Sequence, residues 1–324
     1  MAQANGHVPS RPLKAGVYVP TITFFDPDTE DLDLATIKKH AVRLAEAGVA
    51  GLTVQGSNGE AVHMSNQERI TVTKATREAL DEAGFVDMPL IIGAGAQSTR
   101  EAIIFAKEAA QAGGDYTLVL PPSYYKAMVP RKDLLDYFRD IASGSPIPLL
   151  IYNYPGVVNG IDLSAEDIIE LSKHPKIVGC KLTCANVGKL QRITKQVESI
   201  THLSGAGSPG FMAMGGMADI TIPVMMGGGS GVITGLGNVT PKACVKVFNL
   251  FAEGKVEEAK KAQAIVAQGD WGAIAGGIPG TKSALQTFYG YGGYGRKPLP
   301  KPTSEEEKKY ADLFRECVEY ENSL

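Results

Sequence analysis

Three features of the 324-residue chain predict an α/β fold closed as a (β/α)8 barrel (a TIM barrel) with a C-terminal helical extension. Eight short apolar runs recur along residues 16–240. Nearly every run is followed by a stretch with apolar residues at helical spacing. After Pro241 the helical pattern continues with no strand-like run between its segments. The runs start roughly 24 to 38 residues apart, enough for the dozen or more residues that a parallel crossover needs. Eight such units in about 220 residues match a closed barrel; an open doubly wound sheet is the alternative that the same pattern allows.

Residues 1–15 read as a disordered lead. Strands are expected at 17–24, 51–55, 89–93, 116–120, 148–152, 177–182, 201–204 and 231–234, with helices at 34–47, 67–83, 100–112, 132–142, 165–173 and 187–197. Ser65-Asn66-Gln67-Glu68 is a capping box, and Ala47-Gly48, Ala83-Gly84 and Ala112-Gly113 are helix stops. The seventh unit is irregular: residues 210–231 are so rich in Gly and Met that a helix is hard to place there. Beyond residue 240, helices are expected at 242–252, 256–268, 282–289 and 304–319, with 290–295 and 298–302 as a linker between them. The expected division is therefore a lead (1–15), a barrel (16–240) and a helical region packed on it (241–324).

Hydrophobic residues make up 44%, charged residues 21%, and the net charge is −3, a balance that suggests neither nucleic acid nor a membrane surface as partner. No apolar run reaches the roughly 18 residues of a membrane helix, and residues 1–16 lack the apolar core of a secretory signal. Four cysteines (Cys180, Cys184, Cys244, Cys317) are too few for a disulfide framework, so a reducing, cytoplasmic setting is expected. The five histidines show no metal-ligand spacing, and Cys180 and Cys184 lack a second pair; no metal and no cofactor is expected. Residues 205–210 match G-x-G-x-x-G but contain Pro209, with no acidic residue about 20 positions on, which argues against a dinucleotide fingerprint.

Within the strand expected at 177–182, Lys181 is the one charged residue. Burying an ammonium costs several kcal/mol unless it is paired or neutral, and a neutral amine is the form that attacks a carbonyl to make a Schiff base. A strand-end lysine with its head in water is the ordinary alternative. Active sites of barrels lie at the carboxyl ends of the strands. There the chain carries Gly56-Ser57-Asn58-Gly59-Glu60, Pro122-Ser123-Tyr124-Tyr125, Tyr152-Asn153-Tyr154-Pro155, Lys181, Ser204-Gly205-Ala206-Gly207 and Ile233-Thr234. The first of these can offer backbone N–H groups and two small polar side chains to a carboxylate; the tyrosines can relay protons.

Four of these motifs, in this order, resemble the dihydrodipicolinate synthase / N-acetylneuraminate lyase superfamily of Schiff-base aldolases over roughly residues 14–320. The family's Gly-Thr-Thr-Gly-Glu turn corresponds to Gly56–Glu60, its Pro-x-Tyr-Tyr to Pro122–Tyr125, its Tyr-Asn-x-Pro to Tyr152–Pro155, and its Gly-x-Lys strand to Gly179-Cys180-Lys181. Two departures stand out. The arginine that synthases usually carry just after Tyr-Asn-x-Pro is missing from Gly156-Val157-Val158-Asn159-Gly160, and a bidentate carboxylate clamp is not replaced by valine. Ser57-Asn58 in place of Thr-Thr resembles the 4-hydroxy-2-oxoglutarate and 2-keto-3-deoxy-sugar-acid aldolase branches.

The resemblance implies a class I lyase that cleaves a 2-oxo-3-deoxy sugar acid or 4-hydroxy-2-oxo acid to pyruvate and an aldehyde. Dihydrodipicolinate synthase and a non-catalytic 2-oxo-acid-binding barrel are the alternatives. By the same resemblance Lys181 forms the Schiff base, and Ser57, Tyr152 and Tyr125 form a proton relay. Ser57, Asn58, Gly205 and Ile233 bind the 2-oxo acid. Tyr125 is expected to come from a neighbouring subunit, so that the protein is a homo-oligomer, a dimer or a tetramer. For hydroxyls on the substrate tail, Asn159, Thr183, Ser208 and Thr234 are candidate partners.

Overall fold

In the computed structural model, which describes residues 11–205 and 207–324, eight parallel strands pair in sequence order and close on themselves. They are β1 (Gly16–Pro20), β2 (Gly51–Val54), β3 (Leu90–Gly93), β4 (Tyr116–Val119), β5 (Leu149–Asn153), β6 (Ile177–Leu182), β7 (Met212–Gly215) and β8 (Gly231–Ile233), with β8 paired back to β1. The crossovers are α1 (Leu34–Glu46), α2 (Asn66–Glu82), α3 (Thr99–Gln111), α4 (Arg131–Gly144), α5 (Ala165–Leu171), α6 (Val187–Thr194) and α7 (Thr221–Met226). The closed barrel rules out the open sheet. The capping box expected at Ser65 is present, with reciprocal bonds between Ser65 and Glu68, and Ser164 with Asp167 and Thr303 with Glu306 repeat it. Each such cap is worth about 1 kcal/mol.

The seventh strand differs from the sequence expectation. Residues 201–204 form a turn, in which Thr201 N donates to Ser204 Oγ at 3.0 Å and Thr201 Oγ1 accepts from Leu203 N at 3.3 Å. Side chains of Ser and Thr that bond nearby backbone compete with strand formation in this way. The strand is instead Met-Ala-Met-Gly, which has no β-branched residue but is buried at all four positions. Burial on both faces outweighs intrinsic preference in a parallel barrel. A short 3₁₀ turn (Ala218–Ile220) and α7 follow, where sequence alone placed no helix.

The barrel interior holds Tyr18, Ile91, Tyr116, Leu118, Leu150, Tyr152, Met212, Met214 and Ile233 in one cluster. Its amino end is plugged by residues 11–15. Leu13 joins the interior cluster, Tyr116 hydroxyl donates to Arg11 O at 3.2 Å, and Arg11 pairs with Asp115 at 3.0 Å. Of the lead expected at 1–15, residues 1–10 lie outside the described residues, and the rest is packed as stated.

Beyond the barrel come α8 (Pro241–Ala252), α9 (Val256–Tyr289) and α10 (Ser304–Asn322). The helices expected at 256–268 and 282–289 are parts of α9, which bends at Gly277 (φ 55°, ψ −147°), a backbone conformation that side chains disfavour. The 290–295 stretch is packed rather than loose: Tyr291 is buried, and its hydroxyl bonds His40 Nδ1 at 2.9 Å. Strand, crossover and C-terminal residues share a single apolar cluster that includes Val17, Leu52, Leu80, Val266 and Phe314.

Candidate active site

Lys181 sits next to the carboxyl end of β6, in register with Tyr152 on β5 and Met214 on β7. Three lysines are buried among the described residues: Lys181, Lys189 and Lys282. Lys189 pairs with Asp162, and Lys282 pairs with Glu60. Lys181 is held differently. Its Nζ donates to the hydroxyl of Tyr152 at 3.3 Å and stands 4.3 Å from the centre of that ring. Its hydrogen-bond partner is thus a phenol and not a carboxylate.

Lys181, Tyr152, Ser57 and Asn58 line one cavity of about 280 Å³, which opens at the carboxyl ends of the strands. A neighbouring cavity of about 350 Å³, reaching His63 and Leu299, shares Ser57, Tyr152, Val157 and Ile278 with it. Val157, in the stretch that lacks an arginine, thus stands between the two. Tyr154 lies beside Tyr152 with ring centres 5.9 Å apart, and burial, then the neighbouring Tyr152, raises its hydroxyl above the ordinary value. It therefore stays protonated. Asn153 of the same motif is structural: its side chain donates to Asp162 at 2.7 Å and accepts from Leu163 N at 2.9 Å, fixing the loop after β5.

The Ser57-Asn58 turn is set by its surroundings. Glu60 N donates to Ser57 O at 3.2 Å, Thr23 Oγ1 donates to Gly59 O at 2.7 Å, and Glu60 itself has φ 53°. Glu60 is anchored from the C-terminal region: Lys282 Nζ donates to its Oε1 at 2.7 Å, and Arg296 N and His63 Nδ1 meet its Oε2 at 2.9 and 3.0 Å. Lys282 also donates to Tyr294 O at 2.8 Å. Both side chains of the Lys282–Glu60 pair are 0% exposed, so the charge is compensated locally rather than by water.

The structure does not bring every expected residue together. Gly205 is a correction. With β7 at Met212–Gly215, Gly205 falls in the loop that leads into the strand, at the amino end of the barrel, opposite to Lys181. Two residues on, Gly207 lies beside the plug, where a Cβ added to it would stand 3.9 Å from Pro12 Cγ. Ser208 belongs to the same loop, bonded back to Gly205 O at 3.1 Å. At the true end of β7 the cavity wall is Gly216, where an added Cβ would lie 2.0 Å from Thr183 Oγ1, so only glycine fits. Ile233 is fully buried in the interior cluster, and the β8 end reaches the cavity through Gly235. Tyr125 is 60% exposed and packs edge-to-face on Tyr124, away from the cavity of its own chain.

Of the candidate tail partners, Thr183 lines the cavity, and its buried hydroxyl has no hydrogen-bond partner among the described residues. Thr234 is buried, and Asn159 is exposed in the loop after β5. Residues that sequence reasoning missed come from α9: Asp270, Ala273, Ile274, Gly277 and Ile278 all line the cavity. Helical periodicity marks which face of α9 is apolar but not what that face covers. Among the described residues no group of three or more His, Cys, Asp or Glu is placed to hold a metal ion.

The chain is similar to known proteins in sequence and in fold. The sequence profile of the dihydrodipicolinate synthetase family matches residues 13–316. A protein of Emericella nidulans described as "Probable 4-hydroxy-2-oxoglutarate aldolase, mitochondrial" is 53% identical over 315 residues, 97% of this chain and 98% of that protein. The L-threo-3-deoxy-hexylosonate aldolase of Aspergillus niger is 48% identical over 332 residues, covering 98% and 99%. The crystal structure of a dihydrodipicolinate synthase family protein from Coccidioides immitis superposes with a TM-score of 0.85 at 32% identity, covering 98% of this chain and all of that one. By fold, by motif order and by a match that spans nearly its whole length, the chain belongs to the dihydrodipicolinate synthetase family.

Proposed function

We propose that this protein is a class I aldolase that cleaves a 2-oxo-3-deoxy sugar acid, or a related 4-hydroxy-2-oxo acid, to pyruvate and an aldehyde. Aldolase relatives at 48–53% identity over nearly full length support a carbon–carbon lyase. The observation that carries the mechanism is Lys181, buried at the cavity with a phenol in place of a carboxylate as its partner.

Lys181 attacks the 2-oxo carbon as the free amine, water leaves, and the resulting iminium draws electrons from C3. Tyr152 takes the proton of the 4-hydroxyl as it passes its own along the relay to Ser57 and Tyr125, while the C3–C4 bond breaks; the aldehyde departs and an enamine remains. Protonation at C3 and hydrolysis return pyruvate and the lysine. Ser57 and Asn58 hold the 2-oxo acid carboxylate, with Gly216 in the place expected of Gly205. Thr183 meets a hydroxyl of the substrate tail. Replacing Tyr152 by Phe is expected to lower kcat by about 10²- to 10⁴-fold, the usual range for one acid–base group, while pyruvate still forms an adduct with Lys181; a variant within a few-fold of wild type overturns the role of Tyr152.

The reading is tested by treating the protein with pyruvate and borohydride and mapping the adduct by peptide mass. One reduced pyruvate on Lys181, together with pyruvate release from polyhydroxy 2-oxo acids, is expected. No adduct returns the chain to a non-catalytic binding barrel, and turnover of aspartate semialdehyde with no aldol cleaved identifies a synthase instead.

We also propose a homo-oligomer in which Tyr125 enters a neighbour's site, supported by the exposed Tyr124, Tyr125 and Met128 on the loop after β4. Light scattering is expected to give a dimer or tetramer; a fully active monomer overturns this. A cytoplasmic setting is part of the proposal. One relative is described as mitochondrial, and cell fractionation separates the two compartments. No helix among the described residues is long and apolar enough to cross a membrane.

A further inference from the structure

Asp270 is a carboxylate in an unusual setting. It lies on α9, is 2% exposed, and lines the cavity that holds Lys181. Its Oδ2 accepts from the backbone N–H groups of Ala218 and Asp219 at 2.9 and 3.1 Å, and its Oδ1 accepts from Thr234 Oγ1 at 3.4 Å. None of these partners carries a charge. The Thr234 contact is longer than an ordinary O–H···O bond, so Oδ1 retains accepting capacity. Burial is the main reason that its carboxyl is pushed up to about 7. An asparagine would satisfy the same two amides without that cost. A charged group retained at a cavity wall is explained when a ligand completes its hydrogen bonds.

The ligand chemistry follows from charge. Hydroxyl groups donate to a carboxylate, whereas a second carboxylate in the same low-dielectric cavity is repelled. We propose that Asp270 is a specificity-determining residue that accepts hydrogen bonds from the tail hydroxyls of a neutral polyhydroxy 2-oxo acid and disfavours a tail ending in carboxylate. This rests on the function proposed above and decides between its two substrate classes.

The test compares kcat/KM for a 2-oxo-3-deoxy-hexonate with that for 4-hydroxy-2-oxoglutarate, from pH 5.5 to 8.5. Both substrates share the 2-oxo acid head, so contributions of Lys181, Tyr152 and Tyr154 cancel in the ratio. As pH rises through about 7, Asp270 ionises, and the preference for the polyhydroxy substrate is expected to grow by about 10- to 100-fold, the range for a hydrogen bond to a charged group. Other groups coupled to Asp270 are Asp219 on the 3₁₀ turn, Cys244 on α8 and Cys317 on α10. The Asp219 carboxyl is itself raised by burial, and its charge helps to raise Asp270, so the control Asp219→Asn is expected to keep the growth of the preference with pH while moving it to lower pH. Asp270→Asn is expected to lower the preference and flatten it with pH.

A ratio independent of pH in the wild-type protein, or unchanged in Asp270→Asn, overturns the proposal. The wild-type profile needs no variant to fold. Borohydride trapping of pyruvate on Lys181 in each protein reports the lysine chemistry separately. Its loss in the wild type refutes the aldolase reading itself, while a flat ratio with trapping intact refutes only the role of Asp270.

Discussion

Replacing Lys181 by Met is expected to abolish aldol cleavage, lowering kcat by about 10⁴-fold or more, and to remove the borohydride-trapped adduct. The size of the effect follows from the mechanism. No other buried lysine among the described residues can substitute, because Lys189 and Lys282 are each tied to a carboxylate. Neither of them lines the Lys181 cavity. Met has nearly the volume of the lysine stem and removes a buried polar group, so the thermal midpoint is expected to hold or rise. Circular dichroism against temperature, run beside the activity assay, separates lost chemistry from lost folding. An active Lys181→Met protein, or one in which the adduct persists on another lysine, refutes the assignment.

The second large effect is on stability. Lys282→Met leaves the Glu60 carboxylate buried with hydrogen bonds from Arg296 N and His63 but without its cation. Removing one partner of a buried ion pair costs about 3–5 kcal/mol. Glu60→Gln introduced into Lys282→Met is expected to recover much of that loss, because the amide still accepts from Arg296 N. Urea unfolding of the two single variants and the double variant checks this. Equal, additive losses show that the pair is not coupled. Since Glu60 directly follows the Ser57–Gly59 turn, Lys282→Met is also expected to raise KM for the 2-oxo acid more than it lowers kcat.

Much of the barrel was legible because its strands are buried on both faces and so read as continuous apolar runs. Leu90–Gly93 and Ile177–Leu182 show this, each with turn signals at its flanks. Lys181 stood out for the same reason, as a charge among residues that have none. The β7 strand was misplaced because its residues are poor strand formers by intrinsic preference, while the turn before it carries Thr and Ser that mimic a strand end. That single shift moved Gly205 to the wrong end of the barrel and hid Gly216.

The sequence by itself determined the fold, the order of the motifs and the place of Lys181 as the one charge in an apolar strand, since these depend on local pattern and on residues whose types are rare in an apolar run. Only the tertiary structure decided which groups surround the substrate tail. Asp270 is far from Lys181 along the chain, on a helix whose polar residues look like any solvated face. It becomes a desolvated carboxylate on the cavity wall only when α9 packs across the barrel mouth and bends at Gly277. Likewise, Lys282 and Glu60 have no local relation, and they pair because the C-terminal helices close over the turn after β2. Burial and pairing across such distances are products of packing, and local sequence pattern carries no record of them.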